Sequence, residues 1–117
     1  MSLANCLLIA GTVAGYDVGV LAHAMLEGHW SKDLNLSDSS VLETLVNDNE
    51  MEAETLLELA GSADVIKIYE QNTEEAIDRS VFGSPTYFLN GDMFYGQDRL
   101  EMLERAVWQP FKPSKYR

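Results

Sequence analysis

Two short segments near the C-terminal end hold the residue types best suited to binding a ligand. In the first, Ser84 precedes Pro85, and a residue before proline is held in extended geometry. Pro85 at the head of a strand also denies the sheet an amide donor, so Ser84 can offer its backbone to a peptide-like ligand. In the second segment, Asp98 lies at the expected start of a helix. Its carboxylate either caps that helix or holds the ammonium group of a ligand.

A predicted hairpin connects these two segments. Asn90-Gly91 lies between two apolar runs, which is the strongest short-range signal for a two-residue type I′ turn. We therefore expect Thr86 to Leu89 to pair antiparallel with Asp92 to Tyr95. Gly96 then breaks the strand, and a helix should begin near Gln97 or Asp98, because apolar and polar positions recur at helical spacing at Leu100, Leu103, Glu104 and Val107.

The pattern of the chain before the hairpin predicts helices throughout. The pattern predicts one long helix from about Ala4 to Glu27, ended by Gly28. Glycines at positions 11, 15 and 19 would lie on one side of that helix and permit close approach of another element.

Three more helices are expected before the hairpin. Ser37 or Asp38 can cap the first of them, and Asn49 can cap the second, which Gly61 would end. Ser62 or Asp64 would start the third, which should run to Arg79 or Ser80.

Other candidate groups have simpler explanations. Cys6 lies in an apolar stretch that should keep its thiol inert, and His23 and His29 lack the neighbours of a metal or catalytic site. The run Asn47 to Glu50 lacks the spacing and the central glycine of a calcium loop. We therefore predict no metal site and no catalytic residue in this chain.

Composition limits the possible partners. The chain has 117 residues, 46% of them hydrophobic, which fits one small globular unit. Its net charge of -11 should repel nucleic acid and anionic lipid, so we expect neither a nucleic acid nor a membrane partner. The apolar run near the N-terminus is too short to span a membrane. A single cysteine excludes an internal disulfide and favours a cytoplasmic setting.

Three spaced motifs resemble a known family. These motifs are Asn72-Thr73-Glu74-Glu75-Ala76, Val81-Phe82-Gly83-Ser84-Pro85-Thr86 and Phe94-Tyr95-Gly96-Gln97-Asp98-Arg99-Leu100. In order and spacing they resemble the C-terminal part of 2-hydroxychromene-2-carboxylate isomerases. Those enzymes are similar to kappa-class glutathione transferases, in the DsbA-like branch of the thioredoxin fold.

The resemblance implies half of a glutathione site. The backbone of Ser84 would pair with the cysteinyl part of glutathione, next to a cis bond at Pro85. Asp98, with Gln97 beside it, would receive the γ-glutamyl group. The family more often has an apolar residue where Ser84 stands, but a backbone role tolerates that change.

The resemblance also implies a fold class. We expect a mostly helical α/β chain that forms the C-terminal part of a DsbA/kappa-type thioredoxin-like fold. A helical insertion over residues 4–80 would precede a hairpin and a closing helix over residues 81–109, with an irregular tail over residues 110–117. The N-terminal βαβ unit of the family, which carries the catalytic serine, would be missing.

Three functional hypotheses follow. The first is a fragment of a glutathione-dependent isomerase acting on ring-opened aromatic acids. In such an enzyme the glutathione thiolate adds to a conjugated double bond, allows rotation and leaves. The second is a fragment of a DsbA-like thiol-disulfide oxidoreductase, and the third is a non-catalytic helical interaction protein. In each case a lone two-stranded hairpin is marginal in water, so we expect homo-oligomers.

Overall fold

The computed structural model describes residues 2–109 and 111, and those residues form six α-helices and one hairpin. The predicted order of a helical region, a hairpin and a closing helix is confirmed. The expected irregular tail over residues 110–117 lies outside the described residues, apart from Phe111. In chain order the elements are α1 Leu3–Val13, α2 Gly19–Ser31, α3 Ser39–Asp48, α4 Ala53–Ala60, α5 Ala63–Asp78, β1 Thr86–Leu89, β2 Asp92–Tyr95, a 3₁₀ turn Gln97–Arg99, and α6 Leu100–Trp108.

The chain divides into two compact units, Met1–Glu74 and Glu75–Arg117. We call them the helical unit and the hairpin unit. In the helical unit, α1 packs on α4 and α2, and α3 packs on α2 and α4. Every helix of this unit contributes at least one fully buried side chain to a single apolar core, namely Cys6, Leu7, Leu21, Leu42, Val46, Leu56 and Val65. Over the described residues, no helix is both long and apolar enough to cross a membrane.

The predicted single helix from Ala4 to Glu27 is wrong, because the chain turns between α1 and α2. Gly15 takes a φ of 88°, its N–H bonds to the Thr12 carbonyl, and the Tyr16 N–H bonds to the Gly11 carbonyl. This pair of bonds is the Schellman motif, which ends a helix at a glycine of positive φ. The Asp17 side chain then accepts a hydrogen bond from the Gly19 N–H, 3.1 Å away, at the start of α2.

The three N-terminal glycines therefore do not share one helix face. Gly11 shows the closest approach, since a Cβ built there would lie 2.6 Å from Cγ1 of Val18, whereas one at Gly19 would lie 3.2 Å from Oδ1 of Asp17. Gly28 does not end α2 as predicted, because the helix continues to Ser31. A Cβ at Gly28 would lie 3.0 Å from Cδ1 of Leu34, so this glycine also allows a close approach.

The prediction of a cap at Ser37 or Asp38 is confirmed at Asp38. Its carboxylate accepts hydrogen bonds from the Ser40 N–H at 2.8 Å and from the Ser40 hydroxyl at 2.7 Å. The prediction at Asn49 is wrong, because Asn49 is the C-cap of α3 and donates its side-chain amide to the Leu45 carbonyl. Glu52 precedes α4 without a side-chain hydrogen bond to the helix.

The boundary between α4 and α5 follows the sequence prediction. Gly61 is the C-cap of α4, as expected. The Ser62 hydroxyl accepts a hydrogen bond from the Val65 N–H at 3.3 Å and so starts α5. The helix ends at Asp78, slightly before the predicted end, and Ser80 follows with a φ of 60°.

The hairpin has the predicted strands and turn. Its register pairs Thr86 with Tyr95, and Leu89 with Asp92. Asn90 and Gly91 have φ values of 51° and 85°, as a type I′ turn requires at both central positions. Within the hairpin unit α6 packs on both strands, and Phe94 and Ala106 are buried there.

Candidate functional site

The loop before β1 contains Ser84, the first of the candidate ligand-binding residues. The Ser84–Pro85 peptide bond is cis, as the family resemblance implies. Ser84 is exposed and Pro85 is half-buried. Among the described residues, neither the N–H nor the C=O of Ser84 makes a hydrogen bond. These two groups are therefore available to a ligand that can pair with an extended backbone.

The loop conformation is held by contacts on both sides of Ser84. The Thr86 hydroxyl donates a hydrogen bond to the Gly83 carbonyl, 2.6 Å away. A Cβ built at Gly83 would lie 2.7 Å from Cε2 of Tyr95, so the tyrosine ring covers this glycine. The Phe82 ring also packs on Tyr95, with 4.6 Å between the ring centroids.

Gly96 connects the two halves of the site. Its N–H donates to the Pro85 carbonyl at 2.8 Å, which brings the loop before β1 next to the turn after β2. Its φ of 91° and ψ of 151° lie in a region that is essentially restricted to glycine. Ser84 and Pro85 therefore lie close to the segment that carries Gln97 and Asp98.

Asp98 does not cap the helix that it precedes. Gly96 caps the 3₁₀ turn and Arg99 caps α6, both without a side-chain hydrogen bond. The Asp98 carboxylate is exposed and makes no hydrogen bond or ion pair within the described part of the chain. A Cβ at Gly96 would lie 2.6 Å from Oδ1 of Asp98, so the carboxylate is close to the Gly96 backbone. The capping alternative is wrong, and the carboxylate is open to a ligand.

A groove of about 490 Å³ opens beside Asp98. Its charged groups are the adjacent Asp98 and Arg99, and the Arg99 Nη1 lies 3.9 Å from the sulfur of Met102. Arg99 and the apolar walls of the groove are candidate ligand contacts that the sequence alone did not indicate. Only the helical spacing of Arg99 and Met102 suggested that they share a face. The lining residues are Met93, Phe94, Tyr95, Asp98, Arg99 and Met102.

The other candidate groups lie outside this site. Cys6 is 2% exposed and belongs to the core of the helical unit. His23 lies 3.7 Å from Glu27 on the surface of α2. In the part of the chain that the structure describes, no three or more His, Cys, Asp or Glu side chains are placed to hold a metal ion.

The comparisons with known proteins agree on one family for this chain. Residues 1–107 match the family model described as DSBA-like thioredoxin domain. A 2-hydroxychromene-2-carboxylate isomerase from Pseudomonas sp. (strain C18) is 56% identical over 39 residues, which cover 33% of this chain and 18% of that protein. A protein of the same name from Sphingobium xenophagum is 31% identical over 75 residues, or 64% of this chain and 38% of that protein.

A third protein of that name, from Pseudomonas putida, is 54% identical over 39 residues, which cover 33% of this chain and 19% of that protein. The chain therefore spans less than two fifths of the length of each of these relatives. No solved structure gives a significant match.

Proposed function

Because this chain belongs to the DsbA-like thioredoxin domain family, we propose that it forms the glutathione-holding part of an isomerase of ring-opened aromatic acids. The relatives named 2-hydroxychromene-2-carboxylate isomerase support the reaction class. Glutathione as the cofactor, an aromatic acid as the substrate and a cytoplasmic setting all belong to the proposal. The proposal covers this chain as part of a larger enzyme, because the alignments cover only a fraction of each relative.

The residues of the site suit glutathione in three ways. Glutathione has a peptide backbone, and the exposed residue Ser84 has an N–H and a C=O that are unpaired among the described residues. Glutathione also has an α-ammonium group, and the exposed Asp98 carboxylate can accept hydrogen bonds from it. Gln97, adjacent in the 3₁₀ turn, can bond the α-carboxylate through its amide.

The roles of the protein groups are binding and orientation. Ser84 would align the cysteinyl part as an added strand, and Asp98 would anchor the opposite end of the tripeptide. When bound, glutathione supplies a thiol nucleophile, so the protein needs no reactive cysteine of its own. The only cysteine in the sequence, Cys6, is buried in the other unit.

The observation that carries the proposal is the bond from Gly96 to the Pro85 carbonyl. It places the loop of Ser84 beside the turn of Asp98, so that two polar anchors lie at the same end of the hairpin. A carboxylate that capped its own helix would be a poor anchor, and Asp98 makes no such bond.

A titration with glutathione, followed by backbone amide NMR, tests the proposal. We expect the largest shifts at Ser84 and at Gly96 to Asp98. Asp98→Asn should weaken binding at least tenfold, about 1.4 kcal/mol, because the ammonium loses its charged partner. Glu101→Gln is the matched control, because Glu101 is another exposed carboxylate, three residues further on in the first turn of α6. The Glu101→Gln variant should bind glutathione as the wild type does.

A glutathione analogue that lacks the α-amino group tests whether Asp98 contacts the α-ammonium of glutathione. If Asp98 receives the ammonium, the analogue should bind the wild type weakly, and Asp98→Asn should weaken it no further, because both changes remove the same interaction. Full affinity of Asp98→Asn for glutathione would refute the assigned role. Shifts confined to the helical unit would refute the site.

A further inference from the structure

The hydroxyl of Thr86 bonds to the backbone of the loop that contains Ser84. It donates a hydrogen bond to the Gly83 carbonyl, 2.6 Å away, which is at the short end of the usual range for hydroxyl donors. Threonine hydroxyls in α1, α3 and α5 bond to the carbonyl four residues earlier in their own helix, a common contact on helices. The Thr86 bond instead spans the loop before β1 and joins it to the first residue of the strand.

This bond sets the direction of the Ser84 N–H. The Gly83 carbonyl and the Ser84 N–H belong to the same peptide group, which is planar and trans. In a trans peptide the C=O and the N–H point in opposite directions. Because the Thr86 hydroxyl holds the Gly83 oxygen, the Ser84 N–H is directed away from the Thr86 side chain.

Other contacts hold the backbone on both sides of Ser84. The Pro85 carbonyl accepts a hydrogen bond from the Gly96 N–H at 2.8 Å, which fixes the peptide group after Pro85. The Tyr95 ring covers Gly83, where a built Cβ would lie 2.7 Å from Cε2 of the ring. The Ser84 carbonyl lies between these two held peptide groups. Residues of the hairpin unit alone therefore hold both backbone groups of Ser84.

We propose that Thr86 is a positioning residue, whose hydroxyl holds the Ser84 backbone in the conformation that pairs with a peptide-like ligand. The identity of that ligand as glutathione rests on the proposed function. A loop that is already held loses less conformational freedom on binding, so more of the interaction free energy appears as affinity. Thr86 acts through the loop and needs no contact of its own with the ligand.

Backbone ¹⁵N relaxation of the free protein tests the positioning role. Thr86→Val removes the hydroxyl and keeps a β-branched side chain that favours strands. The order parameter of the Ser84 N–H should fall from about 0.85, typical of rigid backbone, to below about 0.6. Tyr87 and Phe94 should stay rigid, because their pairing in the ladder does not involve the hydroxyl. Thr86→Ser keeps the hydroxyl and should restore the order of Ser84.

Titration with glutathione tests the effect on binding. Thr86→Val should weaken binding about three- to tenfold, the range expected for the loss of one hydrogen bond, and Thr86→Ser should bind as the wild type does. Thr44→Val is the matched control, because it removes the same type of bond, 3.1 Å from the Thr44 hydroxyl to the Ser40 carbonyl, on the exposed side of α3. This control should change neither the order of Ser84 nor the affinity.

The two measurements separate this inference from the proposed function. An unchanged order parameter of Ser84 in Thr86→Val would overturn the positioning role, whether or not glutathione binds. A lower order parameter with unchanged affinity would also overturn it, and so would an equal loss of order at Tyr87 and Phe94. If the wild type does not bind glutathione, the proposed function fails, and the order parameters still decide whether Thr86 holds Ser84.

Discussion

The helical unit and the hairpin unit differ in how fully they bury their apolar side chains. In the helical unit, each helix contributes at least one side chain to a closed core. In the hairpin unit, Phe94 and Ala106 are buried, whereas Phe82 is 74% and Trp108 is 81% exposed. Apolar burial is the main stabilising contribution in folding, so the helical unit should hold most of the stability.

The candidate ligand groups lie in the less buried unit. Ser84, Gln97 and Asp98 are exposed there, and the Ser84 backbone is unpaired among the described residues. A ligand needs such groups to be available, whereas a stable core needs polar groups to be satisfied and apolar groups to be covered. We therefore expect core substitutions to unfold the helical unit, and hairpin substitutions to affect binding while the helical unit stays folded.

The largest expected effect is from Leu56→Ala in the helical unit. Leu56 is fully buried in α4, so its truncation leaves a cavity and should lower the free energy of unfolding by about 2–5 kcal/mol. Denaturant titration followed by helical circular dichroism measures this change. Leu26→Ala is the control, because Leu26 is 60% exposed and should cost less than about 0.5 kcal/mol. Equal losses in the two variants would contradict a stabilising core at α4.

Overpacking at Gly11 should have the next largest effect. The added Cβ of Gly11→Ala would lie 2.6 Å from Cγ1 of Val18, so the substitution should cost about 1–3 kcal/mol. Val18→Ala in the same chain should restore part of that loss. At Gly61 the nearest atom to an added Cβ is 3.7 Å away, so Gly61→Ala should be tolerated. Failure of Val18→Ala to rescue would show that another contact requires the glycine.

Gly96→Ala tests the stability of the hairpin unit separately from that of the helical unit. The φ of 91° and ψ of 151° should make alanine cost about 1–3 kcal/mol, and the new Cβ would displace the Asp98 carboxylate. Amide hydrogen exchange should show faster exchange in β1 and β2, with the helices of the helical unit unchanged. Gly91→Ala has a similar φ of 85° but no atom within 4 Å, so it should weaken the hairpin and leave the position of Asp98 intact. Loss of protection in α1 to α4 in either variant would contradict the prediction that the two units lose stability separately.

The smallest expected effect is the pH dependence contributed by Asp38. Hydrogen bonds from the Ser40 hydroxyl and the Ser40 N–H lower the pKa of this carboxyl below its usual value of 3.8. Because the folded state has the lower pKa, the carboxylate stabilises it above the unfolded pKa, and this contribution disappears as the pH falls through the folded pKa. Denaturant midpoints should therefore fall less steeply in Asp38→Asn than in the wild type below about pH 4.

Asn is also a good N-cap, so this variant keeps the helix start while removing the charge. Parallel midpoint curves for the two proteins over the acid range would mean that the Asp38 carboxylate does not contribute to acid sensitivity.

Sequence reasoning predicted the turns whose chemistry depends on adjacent residues. Asn90-Gly91, the cap at Asp38 and the helix end at Gly61 are all confirmed. Each depends on the allowed φ of one or two residues, or on a side chain that reaches a nearby N–H. The order of a helical region, a hairpin and a closing helix was therefore readable from the chain.

The failures occurred where one residue type serves two local roles. A glycine such as Gly15 is tolerated inside a helix or ends it, and here it ends α1 while the chain packs against Gly11. Asn49 suits either end of a helix, and it caps the end of α3 instead of starting α4. Local spacing also allowed Asp98 to be a cap. Packing decides between such roles, and it involves residues distant in sequence.

The sequence by itself determined the family, the type I′ hairpin and the concentration of negative charge before Glu74, because each depends on residue identity and spacing. Only the tertiary structure decided that the Pro85 carbonyl meets the Gly96 N–H and that Asp98 makes no capping bond. The reason is physical, since a turn is a property of neighbouring dihedral angles. The meeting of two segments and the exposure of a carboxylate depend on strand register and packing.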